Sequence, residues 1–153
     1  MLNEITYTKI RQARASHARW VRRAKHLIEG LPISEDMIPI DSTSCEFGMW
    51  FYHEGMKFKS NPELLKYLNS IEEKHNHLHD IYLKIYKIYF VDTRVSWYRS
   101  ILTNKHREVS PNECAYAKVY FDSLEKVSEE LLTLLEKLEI RLRALTLNNI
   151  YYG

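Results

Sequence analysis

The chain has 153 residues, 45% of them apolar, which is enough to bury a core within one domain. Its 22 Lys and Arg against 20 Asp and Glu leave a net charge of +2, too small to favour nucleic acid or anionic lipid as the main partner. Four Gly and four Pro are too few for the many turns of a β-sandwich or barrel, or for a low-complexity chain, and we therefore expect helices.

The two cysteines, Cys45 and Cys114, do not form the framework of a disulfide-rich secreted protein, and the first residues lack the apolar stretch of a secretion signal. We therefore expect a cytoplasmic protein. The most apolar run, residues 81–91, has eleven residues and includes two lysines. A helix needs about 20 apolar residues to span a bilayer, and so we expect no membrane segment.

The first predicted helix runs from about Asn3, as N-cap, to Glu29, and Gly30 is its stop signal. The residues of its inward-facing seam recur every three or four positions, as in helices that pack side by side. The seam consists of Ile10, Ala13, His17, Trp20, Ala24, Leu27 and Leu31.

A short second helix is predicted after a polar connection. Thr43 and Glu46 have the spacing of a capping box, with Thr43 as N-cap, and the helix should cover about residues 44–53 and end at Gly55.

The third predicted helix has the most regular seam in the chain. Asn61 as N-cap and Pro62 at the first helical position mark its start, and the pattern allows it to continue to about Thr103. Its seam alternates intervals of four and three and consists of Leu64, Leu68, Ile71, His75, Leu78, Tyr82, Ile85 and Tyr89.

The last predicted helix opens on a second capping box, Ser110 to Glu113, and should reach about Leu147. Its seam consists of Tyr120, Leu124, Val127, Leu131, Leu134 and Leu138. Three long helices and one short, cysteine-bearing helix predict an all-α, antiparallel four-helix bundle, with residues 1–153 as a single domain and with apolar stripes that leave room for a dimer interface.

Histidines occupy positions in these seams where leucine would be expected. His17 and His75 lie in two seams, and His79 follows His75 by one helical turn. A buried imidazole has to satisfy both ring nitrogens, either through hydroxyl groups and backbone carbonyls or through a metal. Two histidines at i and i+4 can bind the same ion, whereas His77 points roughly the opposite way and is expected in solvent.

Cys45 could supply a thiolate as a fourth ligand. It lies in the first turn of the short helix, where the helix dipole is expected to favour the ionised sulfur. The alternative is that Cys45 is a small buried apolar residue.

Three segments together resemble a known family. His17-Ala-Arg-Trp20, then 24 residues, Cys45-Glu-Phe47-Gly48-Met-Trp50, then 24 residues, and His75-Asn-His-Leu-His79 resemble the chemoreceptor zinc-binding domain, often abbreviated CZB. The resemblance spans residues 17–79, and all of its elements are present in order.

The resemblance implies a four-helix bundle, commonly dimeric, that holds one zinc ion through His17, Cys45, His75 and His79. In this family the domain is a regulatory input to bacterial chemoreceptors or diguanylate cyclases, and it responds to zinc or to oxidation of the cysteine. A signalling protein of either class is the partner expected in trans.

A site with four protein ligands favours a sensor over an enzyme, because catalytic zinc usually keeps a position for water. We therefore expect no catalytic residues. Gly48 should let the short helix approach its neighbour closely, and nearby aromatic rings could exclude water from the metal or simply pack in the core. The alternative to a sensor is a zinc-stabilised helical bundle that mediates protein assembly.

A third hypothesis is a helical nucleic-acid binder. The first helix has seven basic residues and no acidic one between Lys9 and Lys25. The alternative is a solvated face that meets acidic residues of the last helix. The residues to which no role is assigned are Cys114, His26, His53 and His106.

Overall fold

The computed structural model describes residues 4–91 and 108–151. These residues form four α-helices, which are α1 (Glu4–Ile28), α2 (Glu46–His53), α3 (Pro62–Phe90) and α4 (Pro111–Tyr151). Two short 3-10 segments, Glu35–Met37 and Gly55–Ser60, lie on either side of α2. No strand occurs in the described ranges, which confirms the all-α class.

Helix α1 ends one residue before the predicted position, and Gly30 stops it as expected. Gly30 has a φ of +80°, a conformation that residues with a Cβ rarely adopt. The Gly30 N–H donates to the carbonyl of Leu27 and the Leu31 N–H to that of His26, at 3.1 and 2.9 Å, which is a Schellman motif. The predicted N-cap, Asn3, lies outside the described residues.

The predicted N-cap of α2 is wrong. Cys45, and not Thr43, caps this helix, because the Cys45 sulfur accepts the Gly48 N–H at 3.2 Å. The Thr43 hydroxyl instead donates to the Asp41 carboxylate at 2.7 Å, and this bond belongs to the turn that precedes the helix. The consequence is that the sulfur lies at the N-terminus of α2.

Helix α3 begins as predicted but ends earlier. The Asn61 side chain accepts the Glu63 N–H at 2.9 Å, and Pro62 is the first helical residue. The helix ends at Phe90, and Val91 has an extended backbone. The predicted end at Thr103 lies outside the described residues.

The capping box at the start of α4 is confirmed by reciprocal hydrogen bonds between Ser110 and Glu113. The predicted seam of α4 is partly wrong, since Phe121 and Leu135 are buried where Tyr120 and Leu134 were expected. Both patterns share Leu124, Val127, Leu131 and Leu138. At each of the two positions where they differ, two apolar residues stand side by side, Tyr120 with Phe121 and Leu134 with Leu135. Hydrophobicity therefore leaves the rotation of α4 open, and packing decides it.

The four helices contribute to one apolar core, in which α4 packs against α1 and α3, and α2 packs against α1. Glu139 of α4 is buried and lies 3.0 Å from Arg11 of α1. Arg14 of α1 also approaches Glu136, at 3.7 Å. Part of the basic face of α1 therefore meets acidic residues of the last helix, as the alternative to nucleic-acid binding anticipated.

None of the helices in the described ranges is both long and apolar enough to cross a bilayer.

Candidate metal centre

The structure brings together all four residues that the sequence singles out. His17 comes from α1, Cys45 from the start of α2, and His75 and His79 from consecutive turns of α3. One ligand atom from each residue lies within 4.8 Å of the corresponding atoms of the other three. All four residues are buried, with exposed fractions between 1% and 7%. Donor atoms this close can share one cation, since metal bonds to N and S are about 2.0 to 2.3 Å long.

Backbone carbonyls orient two of the imidazoles. His17 Nδ1 lies 2.8 Å from the Ala13 carbonyl oxygen, and His79 Nδ1 lies 2.9 Å from that of Ile40. A carbonyl can only accept, so each Nδ1 carries the proton. In the neutral ring the lone pair is then on Nε2, which is the atom left to bind a metal.

The third imidazole is in contact with the sulfur. His75 Nε2 lies 3.2 Å from Cys45 Sγ, which also donates weakly to the Ser42 carbonyl at 3.4 Å. The four donors are therefore part of a connected set, with ring centroids of His75 and His79 4.7 Å apart.

Burial keeps the three imidazoles neutral. Desolvation lowers the pKa of His17 to about 4 and that of His75 to about 2, and it also lowers the pKa of His79. Neutral imidazole is the form that binds a metal, so at neutral pH no proton has to leave these rings first.

The sulfur behaves differently from the expectation based on the helix dipole. Burial raises the pKa of the Cys45 thiol and outweighs the opposing hydrogen bonds from the N–H groups of Gly48 and Phe47. Without a cation the neutral thiol is therefore favoured, and a bound cation would supply the charge that stabilises the thiolate.

His79 provides a direct test of whether the site suits a metal. Its Nε2 is buried and has no hydrogen-bond partner among the described residues. A buried polar atom without a partner costs about 1 to 3 kcal/mol, and here it lies among three other donors. A cation bound to this atom would remove that cost, and the donor set of three imidazoles and one sulfur is typical of zinc.

Close backbone approach holds the sulfur at the site. A Cβ on Gly48 would lie 1.8 Å from the Ser42 carbonyl oxygen, which no side chain can tolerate. Gly48 therefore lets the turn before α2 pack directly against the helix, as the sequence predicts, although the neighbour is this turn and not another helix.

Aromatic rings enclose the centre. The Trp20 ring lies 4.9 Å from that of His79, and Phe47 lies 4.9 Å from His75 and 5.5 Å from His17. Trp20 and Phe47 are themselves buried. They therefore both exclude water and pack in the core, so the two interpretations of these aromatics are compatible.

No motif in the sequence marks the groups that orient the donors. The Ala13 carbonyl could have been found, since it lies four residues before His17 on the same helix. Nothing local points to the Ile40 carbonyl, which is 39 residues from His79. Asp41, with Thr43 two residues on, has the pattern of a side-chain turn, which could have shown that Thr43 is not the cap.

The other histidines do not join the site. His77 and His53 are exposed, and His26 is partly buried on α1. His106 lies outside the described residues. The free Cys114 is exposed at the start of α4.

A family model described as chemoreceptor zinc-binding domain matches residues 17–86. This range contains all four clustered residues, and the match confirms the resemblance noted from the sequence. Zinc is accordingly the cofactor, as predicted. Comparisons with curated proteins and with solved structures gave no match.

Proposed function

We propose that this chain, whose residues 17–86 belong to the chemoreceptor zinc-binding domain family, is a sensory module of bacterial signalling that reports zinc availability or oxidation of Cys45. The proposal takes His17, Cys45, His75 and His79 as the complete ligand set of one zinc ion. The single observation that carries it is the convergence of these four buried donors, with His79 Nε2 left without a hydrogen-bond partner in the part of the chain that the structure describes.

The ligand set links parts of the chain that are distant in sequence. A bound zinc ion would join α1, the start of α2 and α3 through four bonds. Cys45 is the donor at the N-terminus of α2, so the position of that helix would depend on whether the sulfur is bound. In a module of this kind, binding or release of the sulfur changes the position of a helix.

Cys45 is also the donor that an oxidant can change. A hypochlorite or peroxide oxidant would transfer one oxygen atom to the thiolate, which becomes a sulfenate as the oxidant is reduced by two electrons. The sulfenate is a different ligand from the thiolate, and so oxidation would weaken the tie between α2 and the imidazoles. Loss of zinc would weaken the same tie.

Metal content tests the ligand set. We expect one zinc per chain in the purified protein, measured by elemental mass spectrometry, and less zinc after dialysis for Cys45→Ala and His79→Ala. His77→Ala is the matched control, because His77 lies on the same helix but is exposed. It should retain the full zinc content.

Two results would count against the proposal. One is a wild-type protein that takes up no zinc when the metal is supplied in excess. The other is a Cys45→Ala variant whose zinc content and affinity equal those of the wild type.

The rival function is a structural zinc site that holds an assembly together. The burial of all four donors favours this rival, because buried metal sites exchange slowly. The two functions differ in how readily the site releases its zinc or reacts at sulfur. A sensor should release zinc to a competing chelator, or react at sulfur with hypochlorite, under conditions that a cell meets, and a structural site should resist both.

The remaining parts of the proposal concern context. We propose a module without catalytic activity that acts in the cytoplasm on a chemoreceptor or diguanylate cyclase in trans, as a homodimer. Binding to nucleic acid is disfavoured by the pairing of Arg11 and Arg14 with acidic residues of α4. Steeply salt-dependent binding of the protein to DNA or RNA would instead favour a nucleic-acid binder over the sensory module.

A further inference from the structure

A small cavity lies between α1 and the start of α2, beside the metal centre. Its volume of about 10 Å³ is close to the smallest space that holds one water molecule. Two of the residues that line it, Gln12 and Glu46, are exposed. Two others, Ala13 and Phe47, are buried. The cavity therefore extends from the protein surface to buried side chains.

The buried end of this cavity is next to the clustered donors. The Ala13 carbonyl accepts the Nδ1 proton of His17. The Phe47 ring makes edge contacts with two imidazoles, at centroid distances of 5.5 Å from His17 and 4.9 Å from His75. Phe47 thus both lines the cavity and touches two of the four donor residues, and its ring stands between the cavity and the centre.

Exchange of metal at a centre with four protein ligands requires an incoming group. A zinc ion that enters or leaves trades its protein donors for water or for another ligand, so that molecule has to reach the donor atoms. The Phe47 side chain is 3% exposed and has no polar atom to bind water. A ring in this position therefore slows exchange in both directions, whatever the affinity at equilibrium.

We propose that Phe47 controls access to the zinc centre. The cavity between α1 and α2 is the entry route, and the metal exchanges when the Phe47 ring moves away from His17 and His75. The inference rests on the ligand set of the proposed function. It adds a residue that sets the rates of zinc uptake and release without binding the metal.

The place of Phe47 in the chain links access to the state of the sulfur. Phe47 is the second residue of α2 and follows Cys45 by two positions. Its ring also packs on Trp50 and Phe51 of the same helix, at centroid distances of 5.7 and 5.4 Å. The ring therefore moves with α2, so that release of the sulfur would also uncover two imidazoles.

The test separates access from stability. Phe47→Ala removes the ring. Phe51→Ala is the matched control, because Phe51 is a fully buried phenylalanine of the same helix whose ring contacts among the described residues are with Phe47 and Tyr52 and not with an imidazole. Zinc release from the full chain is followed by transfer to an excess of a chromophoric chelator. Zinc uptake by the metal-free chain is followed with a fluorescent zinc indicator, and equilibrium competition gives the Kd independently.

We expect Phe47→Ala to raise the association and the dissociation rate constants together by roughly tenfold, with a Kd within about threefold of the wild type. Phe51→Ala should raise the dissociation rate constant alone and weaken binding, because a void in the core loosens α2 without opening the route. Phe47→Leu should change both rate constants in the same direction by less, since it keeps most of the buried volume.

An association rate constant of Phe47→Ala equal to that of the wild type would overturn the inference, because faster release alone is the effect of lost stability. An equal rise in association for Phe51→Ala would also overturn it, since access would then depend on the whole helix. If Phe47→Ala does not fold, the same comparisons on Phe47→Leu decide. A wild-type protein that takes up no zinc would instead contradict the proposed function, so the two failures are distinguishable.

Discussion

At the scale of single residues, the sulfur of Cys45 has two roles at once. It accepts the Gly48 N–H as the N-cap of α2, and it contacts His75 Nε2 at the same distance, 3.2 Å. A serine could cap the helix in the same way, but its oxygen would be a poor zinc ligand. The cap therefore places the sulfur, and the metal chemistry requires that the cap be cysteine.

Gly48 is the residue whose substitution should be least tolerated near the site. In Gly48→Ala the new Cβ would lie 1.8 Å from the Ser42 carbonyl oxygen, so the turn before α2 has to move away. We expect the free energy of unfolding to fall by about 1 to 3 kcal/mol and zinc affinity to fall with it, as measured by denaturant titration and chelator competition.

Gly55→Ala is the control for this prediction. Its Cβ would lie 3.2 Å from Cδ2 of the Phe51 side chain, which has to give by only a few tenths of an ångström, whereas the backbone at Ser42 would have to move much further. The loss of stability should be smaller than for Gly48→Ala. Equal stability and zinc affinity of Gly48→Ala and the wild type would contradict the described packing.

At the scale of elements, α2 is the one whose position depends most on the centre. It has eight residues, which is too short to be stable alone, and it is anchored by Phe47, Phe51 and the sulfur of Cys45. By contrast, α4 has 41 residues and packs along both α1 and α3. Loss of metal from the centre should therefore increase local opening of α2 before it affects the other helices.

Removal of zinc should increase amide exchange across residues 43–54. We expect the exchange rates there to rise by about tenfold in the metal-free protein, because the bond between Cys45 and the imidazoles is lost. Hydrogen exchange followed by mass spectrometry measures this effect.

Residues 124–138 of α4 serve as the internal reference, since their buried side chains lie in the core shared with α1 and α3. Their amide exchange rates should be the same with and without zinc. If residues 43–54 exchanged equally with and without zinc, the proposed coupling of the centre to α2 would be wrong.

At the scale of the whole molecule, the outer face of α4 carries exposed apolar side chains. No other described residue of the chain covers them. Val119, Ile140 and Leu147 are 60%, 61% and 52% exposed. They share one heptad position, with Lys126 and Thr133 between them. Apolar residues at heptad spacing on a long helix favour association with a second helix of the same kind.

We therefore expect the homodimer to form through this face of α4. Ile140→Glu should shift sedimentation from dimer to monomer, because it places a charge among apolar contacts, and it should leave zinc content unchanged. Met49→Glu is the control, since Met49 is 51% exposed on α2 and lies on an element that packs against α1. A wild-type protein that sediments as a monomer at high concentration would contradict the prediction.

Much of the fold could be predicted because its signals are local. Asn61 and Ser110 cap α3 and α4 as expected, and the seam of α3 is buried from Leu64 to Ile85. The errors arose where two local signals competed. Thr43 had the spacing of a cap but was engaged by Asp41, and both flanks of the α4 seam were apolar.

The sequence by itself determined which residue types could bind zinc and which helix faces turn inward, because both depend on spacing along a helix. Only the tertiary structure decided how the donors are held. The Ile40 carbonyl at His79 and the Ser42 carbonyl against Gly48 are contacts of the irregular segment before α2. The path of such a segment has no periodicity to predict it, and it is set by what the surrounding helices leave free to bond.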